Sequence, residues 1–178
     1  MRVEEAQALI APAVAAAAGA RWADLGAGRG TFTRALSRLL GPGAEVYAVD
    51  RDPAAVRALA GLGPGVTSLH GDFGDESAWR SLALPALDGI LLANSLHYVP
   101  AAEQRAVLAR LADALRPGGR LVVVEYEGRA ANPWVPYPVD SSELAVLLPP
   151  GMAAPVRTGS RPSAFGGTMY AAFTERLR

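Results

Sequence analysis

One acid and three glycines at alternate positions, Asp24, Gly26, Gly28 and Gly30, join an apolar run to the start of a helical pattern. The run is Arg21-Trp-Ala-Asp-Leu25, and Phe32, Ala35, Leu36 and Leu39 then recur on one helical face. Glycine lets the backbone bend sharply and come close to a ligand. The helix beyond aims free N–H groups and a positive dipole end at the same place. Such a turn suits the polar end of a nucleotide-like cofactor. A second run, Ala44 to Asp50, also ends in an acid, 20 residues past Gly30. That is the distance at which Rossmann-type folds set a carboxylate on ribose hydroxyls. Asp50 can accept two hydrogen bonds from a vicinal diol. The plainer reading makes it a turn or capping acid, but Asp52, directly before Pro53, fills the cap role better.

Two further runs end in polar groups. Val66-Thr-Ser-Leu-His-Gly-Asp72-Phe73 offers a hydrogen-bond acceptor followed by an aromatic ring, though Phe73 can equally pack in the core. Leu87-Asp-Gly-Ile-Leu-Leu-Ala-Asn94-Ser-Leu-His97-Tyr98 is a buried run with a polar exit. His97 is the best candidate for a base or an orienting group, since histidine titrates near neutral pH. A partly buried structural histidine is the alternative, and the sequence leaves both open. His70, inside its run, reads as structural. Glu125, Tyr126, Trp134 and Tyr137 are candidates to line an acceptor pocket. For Trp134 and Tyr137, packing of a proline-rich lid onto the core is the favoured role.

The glycine order is G-x-G-x-G, not the G-x-G-x-x-G of dinucleotide enzymes, and Thr31 stands where their third glycine belongs. With Asp24 it resembles the first motif, D/E-x-G-x-G-x-G, of class I S-adenosylmethionine-dependent methyltransferases. The strand-four segment, and Leu115-Arg-Pro-Gly-Gly-Arg-Leu-Val-Val-Val-Glu-Tyr126, look like the matching parts of small-molecule members related to ubiquinone and menaquinone biosynthesis enzymes. The resemblance spans about residues 20–126. It implies S-adenosyl-L-methionine as cofactor. Asp24, Gly26, Gly28 and Gly30 would hold its methionine end, and Asp50, with Arg51 beside it, the ribose. Asp72 and Phe73 would hold the adenine, with Asn94 near the methyl donor and His97 near the acceptor. A base is needed only if the acceptor is protonated. A nicotinamide-dependent Rossmann oxidoreductase and a non-enzymatic S-adenosylmethionine-binding module are the rival readings.

The elements that must position these residues follow from periodicity. Strand patterns near 21–25, 44–49, 66–70, 87–93 and 119–126 alternate with helical ones near 31–40, 53–60, 75–82 and 101–115. Alternation of this kind, with runs apolar on both faces, predicts a mostly parallel, doubly wound α/β sheet. Val3 to Ala18 reads as an N-terminal helix despite Pro12. After Tyr126 come a lid-like proline-rich loop, a short helix near 140–148 and two strands near 153–158 and 167–175. The expectation is one Rossmann-like domain over 1–178, its seven-stranded sheet closed by an antiparallel C-terminal hairpin.

Composition narrows the chemistry. The 178 residues carry 17 basic and 17 acidic side chains, so no nucleic-acid footprint or membrane-seeking face is expected. Cysteine is absent, which excludes a thiol nucleophile, a disulfide and a cysteine-ligated zinc. Every basic residue is arginine, which excludes a Schiff-base lysine. No histidine–carboxylate spacing suggests a metal site. A cytoplasmic protein acting on a small molecule is the expectation.

Overall fold

The computed structural model describes residues 1–177; Arg178, the last residue of the expected domain, lies outside them. Seven strands form one sheet: β1 (Arg21–Leu25), β2 (Glu45–Asp50), β3 (Val66–His70), β4 (Leu87–Ala93), β5 (Leu115–Glu127), β6 (Val156–Pro162) and β7 (Thr168–Glu175). Their order is β3-β2-β1-β4-β5-β7-β6. The first five run parallel, and β7 enters antiparallel between β5 and β6. The helices are α1 (Val3–Ile10), α2 (Thr31–Leu40), α3 (Pro53–Leu59), α4 (Glu76–Ser81), α5 (Ala101–Ala114) and α6 (Ser141–Leu147). The expected fold class is therefore the observed one.

Alternation along the central strands explains the two layers. In β4, Leu91 joins Trp22, Leu36, Val122 and Val124 in the core under α1 and α2. Its neighbours Ile90 and Leu92 face Leu25, Val107, Leu108 and Leu111 on the α5 side. Successive side chains point to opposite faces, so a strand apolar at every position is covered twice.

Three element boundaries differ from expectation. The N-terminal helix stops at Ile10, not Ala18. Pro12 lacks an N–H, and residues 15–18 of the alanine run are exposed. Helix propensity without a face to bury does not hold a short segment. The sixth strand covers Val156–Pro162 rather than 153–158. The fifth strand begins at Leu115 rather than 119, directly after its preceding helix. That helix ends at Ala114, and the Pro-Gly-Gly stretch bulges within β5, between the pairs Leu87–Leu115 and Gly89–Arg120.

Candidate functional site

The parallel strands deliver their carboxyl ends to one edge of the sheet, as the fold requires of a ligand site. A cavity of about 710 Å³ opens there. Its lining includes Gly26, Gly28, Asp50, Arg51, Asp72, Phe73 and Asn94, seven of the residues singled out in the sequence. Asp24, Gly30 and His97 are not among its walls.

Gly26 is where the turn needs glycine. Its φ is +76°, and a Cβ there would stand 2.5 Å from the Cβ of Ser95. Gly30 caps α2 with φ +79°, but its missing side chain leaves room for Leu59 and Leu62, so its absence of Cβ serves packing. The turn's amides are largely spoken for. Gly26 and Ala27 donate to the Val49 carbonyl at 2.9 and 3.0 Å, and Gly30 donates to Ala27 at 2.9 Å. The amide of Gly28 donates to Asp50 Oδ2 at 2.7 Å. The loop therefore contributes shape more than N–H donors.

Asp50 accepts a second bond, 2.8 Å long, from the Asp52 amide on Oδ1. Each of its oxygens keeps a further lone pair. Asp52 is the N-cap of α3, accepting from Ala54, with Pro53 in the first turn as expected. Asp72 folds back on the Gly74 amide at 2.8 Å, and its other oxygen lies 3.5 Å from Arg51. The Arg51 guanidinium is 6.0 Å from the Tyr98 ring, so it spans the cavity mouth. Phe73 is both a cavity wall and a core residue, 8% exposed. Asn94 takes φ +55°, uncommon outside glycine, and its buried Oδ1 has no partner. Polar groups in that state mark sites prepared for something else.

Asp24 is more unusual. It is 1% exposed. Its Oδ2 accepts from Thr33 Oγ1 at 2.7 Å, and its Oδ1 is buried without a partner. Burial, with a smaller contribution from the nearby Asp50 charge, pushes its carboxyl up to about 7 against the Thr33 bond. An orphaned buried carboxylate oxygen beside a glycine turn suits the ammonium end of a cofactor.

His97 and its surroundings depart from the sequence expectation. It sits in a single 3-10 turn, Leu96–Tyr98, but inside the protein, only 2% exposed. Glu125, expected as a pocket wall, is wholly buried. It receives the His97 amide at 3.2 Å and stands 2.6 Å from His97 Nδ1. The imidazole lies against Tyr98, 4.4 Å between ring centres, and Tyr98 lines the cavity. His97 is thus one ring behind the wall. Tyr126, also expected at the pocket, is packed with Val135 and Met169. Trp134 is 74% exposed and Tyr137 40%, so neither packs the lid to the core; Val135 and Val139 do.

Sequence reasoning missed four residues. Thr33 holds Asp24, Ser95 sits against Gly26, and Gln104 ties the lid down by donating to the carbonyls of Val99 and Tyr137 at 3.2 and 3.1 Å. Arg110 Nη2 donates to the carbonyls of Phe73 and Gly74 at 2.8 and 3.1 Å, anchoring the segment that carries Asp72. Only Thr33, in the first turn after the glycines, left a local signal. Among the described residues no histidine and acid cluster could hold a metal ion, and no helix is long and apolar enough to cross a membrane.

A family profile described as a methyltransferase domain matches residues 23–121, more than half of the chain. Acetylserotonin O-methyltransferase of Mus musculus is 33% identical over 144 residues, which are 76% of this chain and 30% of that one. Carboxy-S-adenosyl-L-methionine synthase of Geobacter metallireducens is 32% identical over 118 residues, 62% of this chain and 46% of that one. The chain thus spans less than half the length of these curated relatives. Among solved structures, the Burkholderia thailandensis 1,6-didemethyltoxoflavin-N1-methyltransferase, with 1,6-didemethyltoxoflavin and S-adenosylhomocysteine bound, superposes with a TM-score of 0.71. It is 26% identical, and the match covers 98% of this chain and 77% of that one.

Proposed function

Because the chain belongs to the S-adenosylmethionine-dependent methyltransferase family, we propose that it binds S-adenosylmethionine in the cavity at the glycine turn and methylates a small molecule. The observation that carries this reading is the convergence of Gly26, Gly28, Asp50, Asp72, Phe73 and Asn94 on one cavity. Five carboxylates and two arginines line it, an excess of negative charge that suits a sulfonium cation. Antiparallel β7 between β5 and β6 argues against the rival oxidoreductase, since the dinucleotide fold continues its sheet in the order 3-2-1-4-5-6.

When bound, the cofactor supplies a methyl group already activated for in-line displacement. The residues of the chain then have to hold, align and exclude water. Asp50 takes the ribose diol on its remaining lone pairs, and the Gly28 amide keeps that carboxylate against the turn. Asp72 accepts the adenine amino group, with Phe73 at the ring. The unpaired Oδ1 of Asp24 would have to be uncovered from behind the cavity wall to receive the ammonium of the methionine end, and Gly26 lets Ser95 close against the turn there. Asn94, at the end of β4, faces the donor end with its unpaired Oδ1.

A phenol or amine acceptor must also lose a proton. With Nδ1 of His97 committed to Glu125, Nε2 is the nitrogen left to receive it. Tyr98 would have to turn aside to admit the acceptor to it. The molecules named for the relatives, acetylserotonin and 1,6-didemethyltoxoflavin, support a small-molecule acceptor rather than nucleic acid or protein. Zero net charge agrees with that.

A thermal-shift panel tests the reading, because a ligand that binds only the folded state raises the melting temperature by mass action. S-adenosylmethionine and S-adenosylhomocysteine should both raise it, and NAD and NADP should not. A shift with the dinucleotides and none with the sulfur cofactors would refute it.

A further inference from the structure

The exposed aromatic side chains of this protein are gathered in one place. Among the described residues the large aromatics that stand in solvent are Tyr98, Trp134, Tyr137 and Phe165, at 44, 74, 40 and 80% exposure. Tyr98 follows β4, and Trp134 and Tyr137 follow β5. Phe165 is at the tip of the β6–β7 hairpin. Because β7 runs antiparallel to β5 and Glu127 pairs with Thr168, that tip lies at the carboxyl end of β5 too. All four therefore crown the edge of the sheet where the cofactor cavity opens.

The segments that carry these rings are held. Asn132 Oδ1 accepts from the amides of Trp134 and Val135 at 3.0 and 3.2 Å, presenting Trp134 on a tight turn. Val135 beneath it is buried against Tyr126 and Met169. The Arg129 guanidinium lies 4.6 Å from the Tyr126 ring and donates to the carbonyls of Gly166 and Phe165 at 3.0 and 3.2 Å, tying the hairpin tip to the same cluster. Tyr137 donates its amide to the His97 carbonyl at 3.1 Å. His97 in turn lies against Tyr98, which is a cavity wall. The rim is thus continuous with the cavity through packed residues, and its rings are exposed on fixed backbone.

Exposed apolar side chains gathered at a cavity mouth mark a binding surface. Rings on a fixed scaffold lose little freedom when a flat partner stacks on them. Two guanidinium groups sit in this region, Arg51 at 6.0 Å from the Tyr98 ring and Arg129 at 4.6 Å from the ring of buried Tyr126. Arg51 is already paired with Asp72 at 3.5 Å, but Arg129 makes no ion pair among the described residues and favours a neutral or anionic guest over a cation at the rim.

Resting on the methyl-transfer reading above, we infer that this rim is the acceptor subsite and that the acceptor is a planar aromatic molecule, neutral or anionic. Its ring system stacks on Trp134 and Phe165, and its reacting atom reaches past Tyr98 into the cavity. Trp134 and Phe165 are the specificity-determining residues.

The test uses the full chain loaded with S-adenosylhomocysteine. Its probes are 1-naphthol and 1-naphthoate, with the saturated cyclohexanol and the cationic 1-naphthylmethylammonium as controls, all read by ligand-observed NMR. The two naphthyl probes should bind more tightly than either control. Trp134→Ala and Phe165→Ala should each weaken naphthol binding roughly three- to tenfold, the scale of one lost stacking contact. Neither should change the melting temperature or the affinity for S-adenosylhomocysteine. Naphthyl binding that both variants leave unchanged overturns the inference, as does equal binding of cyclohexanol. A dimer that Trp134→Ala dissociates in sedimentation equilibrium assigns the rim to a second copy of the chain and overturns it also. So does co-flotation with phosphatidylcholine vesicles that Phe165→Ala abolishes. Failure of S-adenosylhomocysteine to bind at all strikes the methyl-transfer reading instead, and the naphthol arm on the unloaded chain still decides whether the rim takes planar rings.

Discussion

Asp24→Asn should make this protein more stable at alkaline pH and flatten its stability between pH 4 and 8. Asp24 is fully buried, with a single hydrogen bond from Thr33 and one oxygen unpartnered. Burial lifts its carboxyl from 3.8 to about 7. Between those two values the folded chain holds a proton that the unfolded chain has released. Stability therefore falls as pH rises through that window and is level above it. A rise of that size corresponds to about 4 kcal/mol of stability lost. The asparagine variant carries no charge and keeps an acceptor for Thr33. Its NH₂ then meets the place where Oδ1 had no partner, at a cost of about 1–3 kcal/mol. The variant should thus be about 1–3 kcal/mol more stable than the parent at pH 8, and the less stable of the two near pH 4. Glu4 and Glu5 act at the acid end of the window and below it, equally in parent and variant. Both are lowered by backbone and arginine hydrogen bonds, so their contribution is lost only as pH falls below the ordinary carboxylate range. Urea titrations followed through buried Trp22 would measure the difference at each pH. Parallel stability curves for parent and variant from pH 4 to 8 would refute the reasoning. A cofactor ammonium at Oδ1 would hold Asp24 ionised, so calorimetry near pH 6 in two buffers of different ionisation heat should show proton release on binding by the parent and less by Asp24→Asn.

Asp50→Ala should weaken S-adenosylmethionine binding by about 1.5–3 kcal/mol, the scale for hydrogen bonds to a charged group, as read by calorimetric titration. Because it also frees the amides of Gly28 and Asp52, a loss of stability of about 1 kcal/mol should accompany it in urea melts. Unchanged cofactor affinity would reduce Asp50 to a turn residue. Glu125→Gln breaks the buried pair with His97 and should cost about 3–5 kcal/mol of stability if that pair is charged; a melting temperature within a degree or two of the parent's would show that it is not. If His97 takes a proton from the acceptor, His97→Gln should lower kcat at least a hundredfold on a verified substrate while cofactor affinity is kept. Wild-type turnover would remove it from the chemistry.

The sequence alone determined the element order, the parallel sheet and the edge where the cavity opens. Strand runs apolar on both faces can be buried only between helix layers, and a glycine turn after the first strand is a local feature. The positions of Asp50, Asp72 and Asn94 at or just past strand ends follow from the same patterning. Asp52 as cap of α3 was equally plain, because capping is decided within four residues. Where the local rule competed with a distant one, the sequence misled. The alanines at 15–18 have propensity but nothing to pack on, and Pro-Gly-Gly became a bulge because β5 begins pairing with Leu87 before it. Only the tertiary structure decided which candidates face the cavity. His97 and Glu125 are 28 positions apart, and they meet because β4 and β5 lie side by side. That meeting turns the histidine inward, while the Asn132 turn and the burial of Val135 turn Trp134 outward. Neither direction is encoded within a helix or strand period, since each depends on which neighbour the fold brings alongside.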